Sequence, residues 1–246
     1  MQNRYTGDIG DFGKLGLLRW LVKSGLNIGL NWYLVPDETH NTDGRHISYL
    51  KKETYRACDE ELWLDLQNIT VTSENRKVKT LETPGILKAR FFSDVLESSK
   101  TSSADRSRQR QLWHTNALEK LNHCDLVFLD PDNGLIVPSA EGSKKANKYV
   151  LPQELADYYH QGSSVMYYQH KARFSDSYYN EQFNCLITSG NFLEARGLGL
   201  MFKTTSQRYY FFIMQPQHAE KITANINQFL NSQWGEHFML LYPKDS

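Results

Sequence analysis

The chain has 246 residues, 40% hydrophobic and 23% charged, which suits one α/β domain and excludes a disordered or fibrous polymer. Basic and acidic side chains number 28 each, so no global field draws the protein to nucleic acid, although a local basic patch stays open. Cys58, Cys124 and Cys185 lie far apart with no CxxC pair, which argues against a zinc site or a disulfide framework. With no apolar leader and no membrane-length apolar run, the expectation is a cytoplasmic protein with no membrane partner.

In chain order, residues 11–23 place Phe12, Leu15, Leu18, Leu21 and Val22 at helical spacing, with Gly25 and Asn27 as a stop. Residues 28–35 read as a strand that runs into Pro36, Asp37 and Glu38, and residues 39–45 as a polar loop. Residues 55–67 look helical, 69–71 and 78–81 look like minor strands, and Pro84 opens a helix to about Leu96. The Ser- and Lys-rich stretch 98–107 reads as a flexible loop within the domain. A long helix at 108–121 feeds the strand Leu126 to Leu129. Arg106, Arg108 and Arg110, followed by Trp113 and His114, form the clearest basic cluster, better read as a solvated helix face than as a nucleic-acid surface.

Residues 138–148 follow as a candidate mobile lid. A helix at 152–160, a strand at 163–169, a helix at 178–188, strands at 198–202 and 209–214, a helix at 217–230 and a strand at 238–242 complete the chain. Four Tyr pairs, two of them in strands, alternate in side-chain direction, so core packing explains half of them. The alternation of elements predicts a single α/β domain over residues 1–246: a mostly parallel sheet with helices on both faces and an antiparallel edge. Nothing in the sequence sets an oligomeric state.

Three strands end in polar residues: Asp37-Glu38, Asp130-Pro131-Asp132-Asn133, and Gln169-His170-Lys171. Crossover connections put such ends on one edge of a parallel sheet, where α/β proteins bind ligands. The middle cluster is the most informative, because an apolar run stops abruptly at two carboxylates, a proline, a carboxamide and Gly134. Every one of those residue types also suits a surface turn. His170 suits either a general base or a hydrogen-bonded loop histidine.

Residues 5–14 (Tyr5-Thr6-Gly7-Asp8-Ile9-Gly10-Asp11-Phe12-Gly13-Lys14) resemble the opening of the RlmJ-type ribosomal-RNA adenine-N6 methyltransferases, with Gly7, Asp8, Asp11 and Lys14 on the matching spacing. Pro36-Asp37-Glu38 then corresponds to the end of that family's cofactor strand, and Asp130-Pro131-Asp132-Asn133 to its Asp-Pro-Pro-Tyr motif. Residues 209–217 echo its late strand, Asn-Pro-Pro and terminal helix. The resemblance implies a class I methyltransferase sheet, S-adenosylmethionine as cofactor and a nucleic acid or nucleotide as substrate. It implies catalytic roles for Asp130, Pro131, Asp132 and Asn133, with Asp130 accepting hydrogen bonds from the target amine. Tyr5, Asp8, Lys14, Asp37 and Glu38 would hold the cofactor, Asp37 through the ribose hydroxyls. The chain departs from the family in two places: its Gly-rich turn is replaced by residues 37–44 with one glycine, and its base-stacking aromatic is Asn133.

Two other readings stand beside this one. Residues 127–135 also resemble the first motif of haloacid-dehalogenase-type phosphohydrolases, which implies a magnesium-dependent phosphohydrolase using Asp130 and Asp132, or a nuclease adding Glu38. That motif has no inserted Asn, and no second acidic cluster follows here. The missing glycines also suit a degenerate protein that binds a nucleotide or RNA without catalysis.

Overall fold

The computed structural model describes residues 1–38, 46–97, 102–204 and 206–242. Leu126 to Leu129 carries apolar groups on both sides of its pleat, which demands a sheet covered on both faces. In chain order the described residues form α1 (Ile9–Lys23), β1 (Ile28–Asn31), α2 (Glu53–Arg56), α3 (Glu60–Thr70), α4 (Val78–Leu81), β2 (Arg90–Phe92), α5 (Ser103–Lys120) and β3 (Leu126–Leu129). Then come β4 (Gly134–Leu135), β5 (Tyr149–Val150), α6 (Pro152–His160), β6 (Ser164–His170), α7 (Asp176–Ile187), β7 (Arg196–Phe202), β8 (Arg208–Met214), α8 (Pro216–Leu230) and β9 (Phe238–Tyr242).

Seven strands make one sheet in the order β2-β1-β3-β6-β8-β7-β9, and β4 pairs with β5 separately. The block β2, β1, β3 and β6 is parallel, while β8 and β9 run against it at one end. The sheet is therefore mixed but parallel through its centre, as the alternation of elements predicts. Helices cover both faces. Phe128, Met166, Tyr168, Tyr210 and Phe212 face one core with α1, α3 and α8. Val127, Leu129, Tyr167, Tyr209 and Phe211 face a second core with α5, α6 and α7. The strand Tyr pairs thus send both members into packing, not half of them.

Several boundaries differ from the sequence reading. Residues 69–70 belong to α3, because Leu62, Leu66 and Ile69 share one buried helical face. Val78 and Leu81, buried at i and i+3, likewise form α4 and not a strand. The helix expected from Pro84 to Leu96 is a turn followed by β2, an edge strand laddered to β1 in register Gly29 with Arg90 and Asn31 with Phe92. Of the loop expected at 98–107, residues 98–101 lie outside the described residues. The rest is the start of α5, whose Ser102 hydroxyl accepts the Asp105 amide at 3.2 Å; the serine marks a helix cap. The polar loop expected at 39–45 also lies outside the described residues.

The basic face of α5 is engaged. Arg110 donates to both Glu154 oxygens at 2.6 and 2.7 Å and to the carbonyls of Ala146 and Tyr149, and Arg106 donates to Gly142. Those bonds tie residues 138–148, the expected lid, to α5 through its backbone. Glu154 also accepts from the Tyr33 hydroxyl at 3.0 Å. Tyr33 sits at φ 45 just past β1, an unusual backbone for a bulky residue, and there the chain leaves the sheet toward Glu38.

Gly16 marks the closest approach between α1 and the segment after α8. A Cβ at that position would lie 2.1 Å from the Trp234 ring, whereas at Gly85 it would meet nothing within 4 Å. Overpacking of this kind costs about 1–3 kcal/mol. Urea unfolding of Gly16→Ala is expected to show that loss and Gly85→Ala none; equal midpoints for the two would contradict the packing described.

Candidate active site

The parallel strands deliver their carboxyl ends to one edge, and α1 packs its amino-terminal turns against that edge. Asp8 caps α1: its Oδ1 accepts the amides of Gly10 at 2.7 Å and Asp11 at 3.0 Å. This fixes the first turn, so that Asp11 and Lys14, on one helical face, point at the end of β3. Lys14 Nζ lies 2.9 Å from Asp11 Oδ1 and donates to Asp130 Oδ2 at 2.6 Å. All three side chains are buried.

The edge encloses a cavity of about 440 Å³. Its lining includes Tyr5, Asp8, Lys14, Glu38 and the turn Asp130, Pro131, Asp132 and Asn133. Of the residues expected from sequence, Asp37 alone is absent from it. Asp37 is exposed and its Oδ1 accepts the Arg4 amide at 3.2 Å, because the backbone after Tyr33 directs Glu38 inward in its place. Asp37 and Asp130 therefore do not face each other across this cavity. Glu38 pairs with Lys148, and its amide donates to Gln2 at 2.9 Å.

The acidic turn is clamped. The Met1 amino group donates to the carbonyls of Tyr33 and Asp130, both at 3.0 Å, and lies 2.9 Å from Asp132 Oδ1. Gln2 donates to Asp132 Oδ2 at 2.6 Å. Burial alone would raise the Asp132 carboxyl, but the amino group, Gln2 and Lys148 outweigh it and hold the group below its ordinary range. Gln169 accepts from the Leu135 amide at 2.9 Å and donates to the Asn133 carbonyl at 3.0 Å. Gly134 has φ +110, and a Cβ there would sit 2.2 Å from Gln169 Oε1.

Sequence reasoning missed Arg208. It opens β8, is buried, and donates to Thr204 Oγ1 at 3.1 Å and the Ser206 carbonyl at 2.8 Å, with Asp8 Oδ2 3.7 Å away. A charged residue heading the apolar run Tyr209 to Met214 was the available signal. Because β8 runs antiparallel, its first residue, not its last, reaches the functional edge. His46, Tyr168, His170 and Lys148 also line the cavity.

The inner charges are unequal. Asp8, Asp11 and Asp130 face Lys14 and Arg208, an excess of one carboxylate. Burial pushes the Asp11 carboxyl up to about 6, against the pull of Lys14 and with the push of Asp8 and Asp130. Burial disfavours charge on Lys14 too, but Asp11 and Asp130 outweigh it and raise its pKa, so Lys14 is a fixed cation rather than a base or nucleophile.

Lys14→Met would leave two buried carboxylates without their cation and is expected to cost about 3–5 kcal/mol in urea unfolding; a loss under 1 kcal/mol would contradict the geometry. The Asp11 carboxyl is raised from 3.8 to about 6, so the native state holds a proton that the unfolded chain has released. Its stabilisation is full below pH 3.8 and disappears as pH rises through about 6. Asp132, lowered, acts oppositely, losing its contribution only as pH falls below the ordinary carboxylate range. Stability of the native chain relative to Asp11→Asn should therefore fall between pH 4 and 6, and a flat difference would refute the assignment.

Among solved structures, the chain is similar to protein LPL1258 from Legionella pneumophila str. Philadelphia 1, described as family-model DUF519. It is 13% identical, the alignment covers 95% of this chain and 96% of that one, and the TM-score is 0.44. No family model matches the chain. No curated protein matches it either.

Proposed function

We propose that this chain binds S-adenosylmethionine at the rim of its sheet and transfers the methyl group to a base of a nucleic acid or nucleotide, as do the RlmJ-type enzymes its motifs resemble. The observation that carries this reading is the meeting of Asp8 and Lys14 with the turn Asp130 to Asn133 around one cavity, although 116 residues separate Lys14 from Asp130.

The donor set fits the charged half of that cofactor. Asp8, Asp11 and Asp130 suit its sulfonium and amino group, Arg208 and Lys14 suit its carboxylate, and the inner excess of one carboxylate favours a ligand with a positive centre. The ribose hydroxyls would meet Glu38 rather than Asp37. A magnesium ion fits less well, since Asp130 already bonds Lys14 and Asp132 bonds Gln2 and the Met1 amino group. Among the described residues, no three His, Cys, Asp or Glu side chains are grouped to hold a metal.

When bound, the cofactor supplies an electrophilic methyl group on sulfur. The protein's part is position. Lys14 holds Asp130 Oδ2, while Oδ1 carries no hydrogen bond from another described residue and can accept one from the target amine. With the turn locked by Gln169, Asp130 Oδ1 would hold the target amine by its hydrogen and leave the nitrogen lone pair free, so that position rather than a strong base would lower the barrier. A second reading, nucleotide or RNA binding without catalysis, is favoured by one observation: Met1 and Gln2 are buried at the end of β1, and the Val35 amide donates to the Met1 carbonyl at 2.9 Å, filling space beside the strand end.

Titration calorimetry with S-adenosylmethionine should give heat, and transfer of labelled methyl to RNA or DNA should follow. Asp130→Asn, which keeps the shape, should lower transfer by on the order of a hundredfold with the fold retained by circular dichroism. Heat with magnesium and release of phosphate would favour the hydrolase; nucleotide heat without either would favour the binder.

A further inference from the structure

We propose that Asn133 reads the hydrogen-bonding edge of the bound base, held in register by Gln169 as a positioning residue; the identity of the ligand as a base rests on the methyl-transfer reading. The backbone of Asn133 is fully committed. Its amide donates to the Lys148 carbonyl at 3.0 Å, and its carbonyl accepts from the His170 amide at 3.2 Å and from Gln169 Nε2 at 3.0 Å. Gln169 spans the turn, accepting from Leu135 on one side and donating to the His170 carbonyl at 3.0 Å on the other.

The Asn133 side chain contrasts with this. It is half-buried and lines the cavity, yet forms no hydrogen bond with another described residue, whereas its neighbours Asp130, Asp132 and Lys148 are all paired. A carboxamide offers one acceptor and two donors on a short stem. Fixed by so rigid a backbone, it suits selective recognition better than mere solvation. An aromatic ring at this position would stack on any base; an amide distinguishes edges.

Asp130 supplies the complementary constraint. Its carboxylate accepts only, so it favours a base with an amine hydrogen at the target and disfavours one with a carbonyl oxygen there. The Asn133 amide then donates to the ring nitrogen beside that amine. Losing such a hydrogen bond typically reduces discrimination by about ten- to a hundredfold.

The test is calorimetric titration of AMP, CMP, IMP and UMP into the native chain, Asn133→Ala, Asn133→Asp and Gln169→Leu. The native chain should prefer AMP and CMP. Asn133→Ala should weaken those two about tenfold and leave IMP and UMP nearly unchanged, with the melting temperature preserved, because the side chain holds nothing else. Asn133→Asp, which accepts where the amide donated, should shift preference toward IMP and UMP. Gln169→Leu should flatten the preference as well, which loss of stability alone would not do. Unaltered preference in Asn133→Ala, or no binding of any of the four by the native chain, would overturn the proposal. If the predicted pattern appears in a chain that takes up no S-adenosylmethionine, the methyl-transfer reading fails and the role of Asn133 stands.

Discussion

The buried ammonium of Lys14 between Asp11 and Asp130 is the contact on which the site depends. It joins the first helix to the end of a central strand, across 116 residues of sequence. An ion pair so enclosed is costly to desolvate, and only close geometry on both sides compensates. Such a group is poorly explained as a stabiliser, since apolar side chains would fill the same space at less cost. Its consequence is electrostatic: Lys14 is held as a fixed cation, and its pull limits how far burial raises the Asp11 carboxyl.

Around that contact the fold acts as a mount. Helices on both faces dry the sheet and leave its rim as the place where polar groups can gather. The Arg110–Glu154 pair and the Tyr33 hydroxyl hold the end of β1, and Gln169 holds the turn after β3. Neither holder touches the cavity's acids directly. Each fixes backbone, so that the carboxylates and Asn133 keep their places without relying on loop rigidity.

Much of the architecture was legible in the chain. The helices at 152–160 and 217–230 and the strand at 238–242 match their apolar patterns closely, because their periodicity is unmixed. The failures share a cause. Ile69-Thr70-Val71 has the residue types of a strand, but the spacing of Leu62, Leu66 and Ile69 decides in favour of a helix. The three-residue strand β2 is too short for a period to show, and only its ladder to β1 defines it. At the cavity, local motifs had pointed to Tyr5, Asp8, Lys14, Glu38 and Asp130 to Asn133, whereas Arg208 depended on the direction of an antiparallel strand and the outward turn of Asp37 on the backbone that follows a left-handed residue at Tyr33. Strand direction and single backbone angles leave almost no trace in composition or spacing.

What occupies the cavity lined by Tyr5, Asp8 and Asp130 decides the function of this fold. A crystal of the native chain soaked with S-adenosylmethionine tests this most directly. Density for the ligand should appear with its amino acid end against Asp8, Lys14 and Arg208 and its sulfur near Asp130. Density seated elsewhere on the molecule, or an unchanged cavity at saturating ligand, would contradict it.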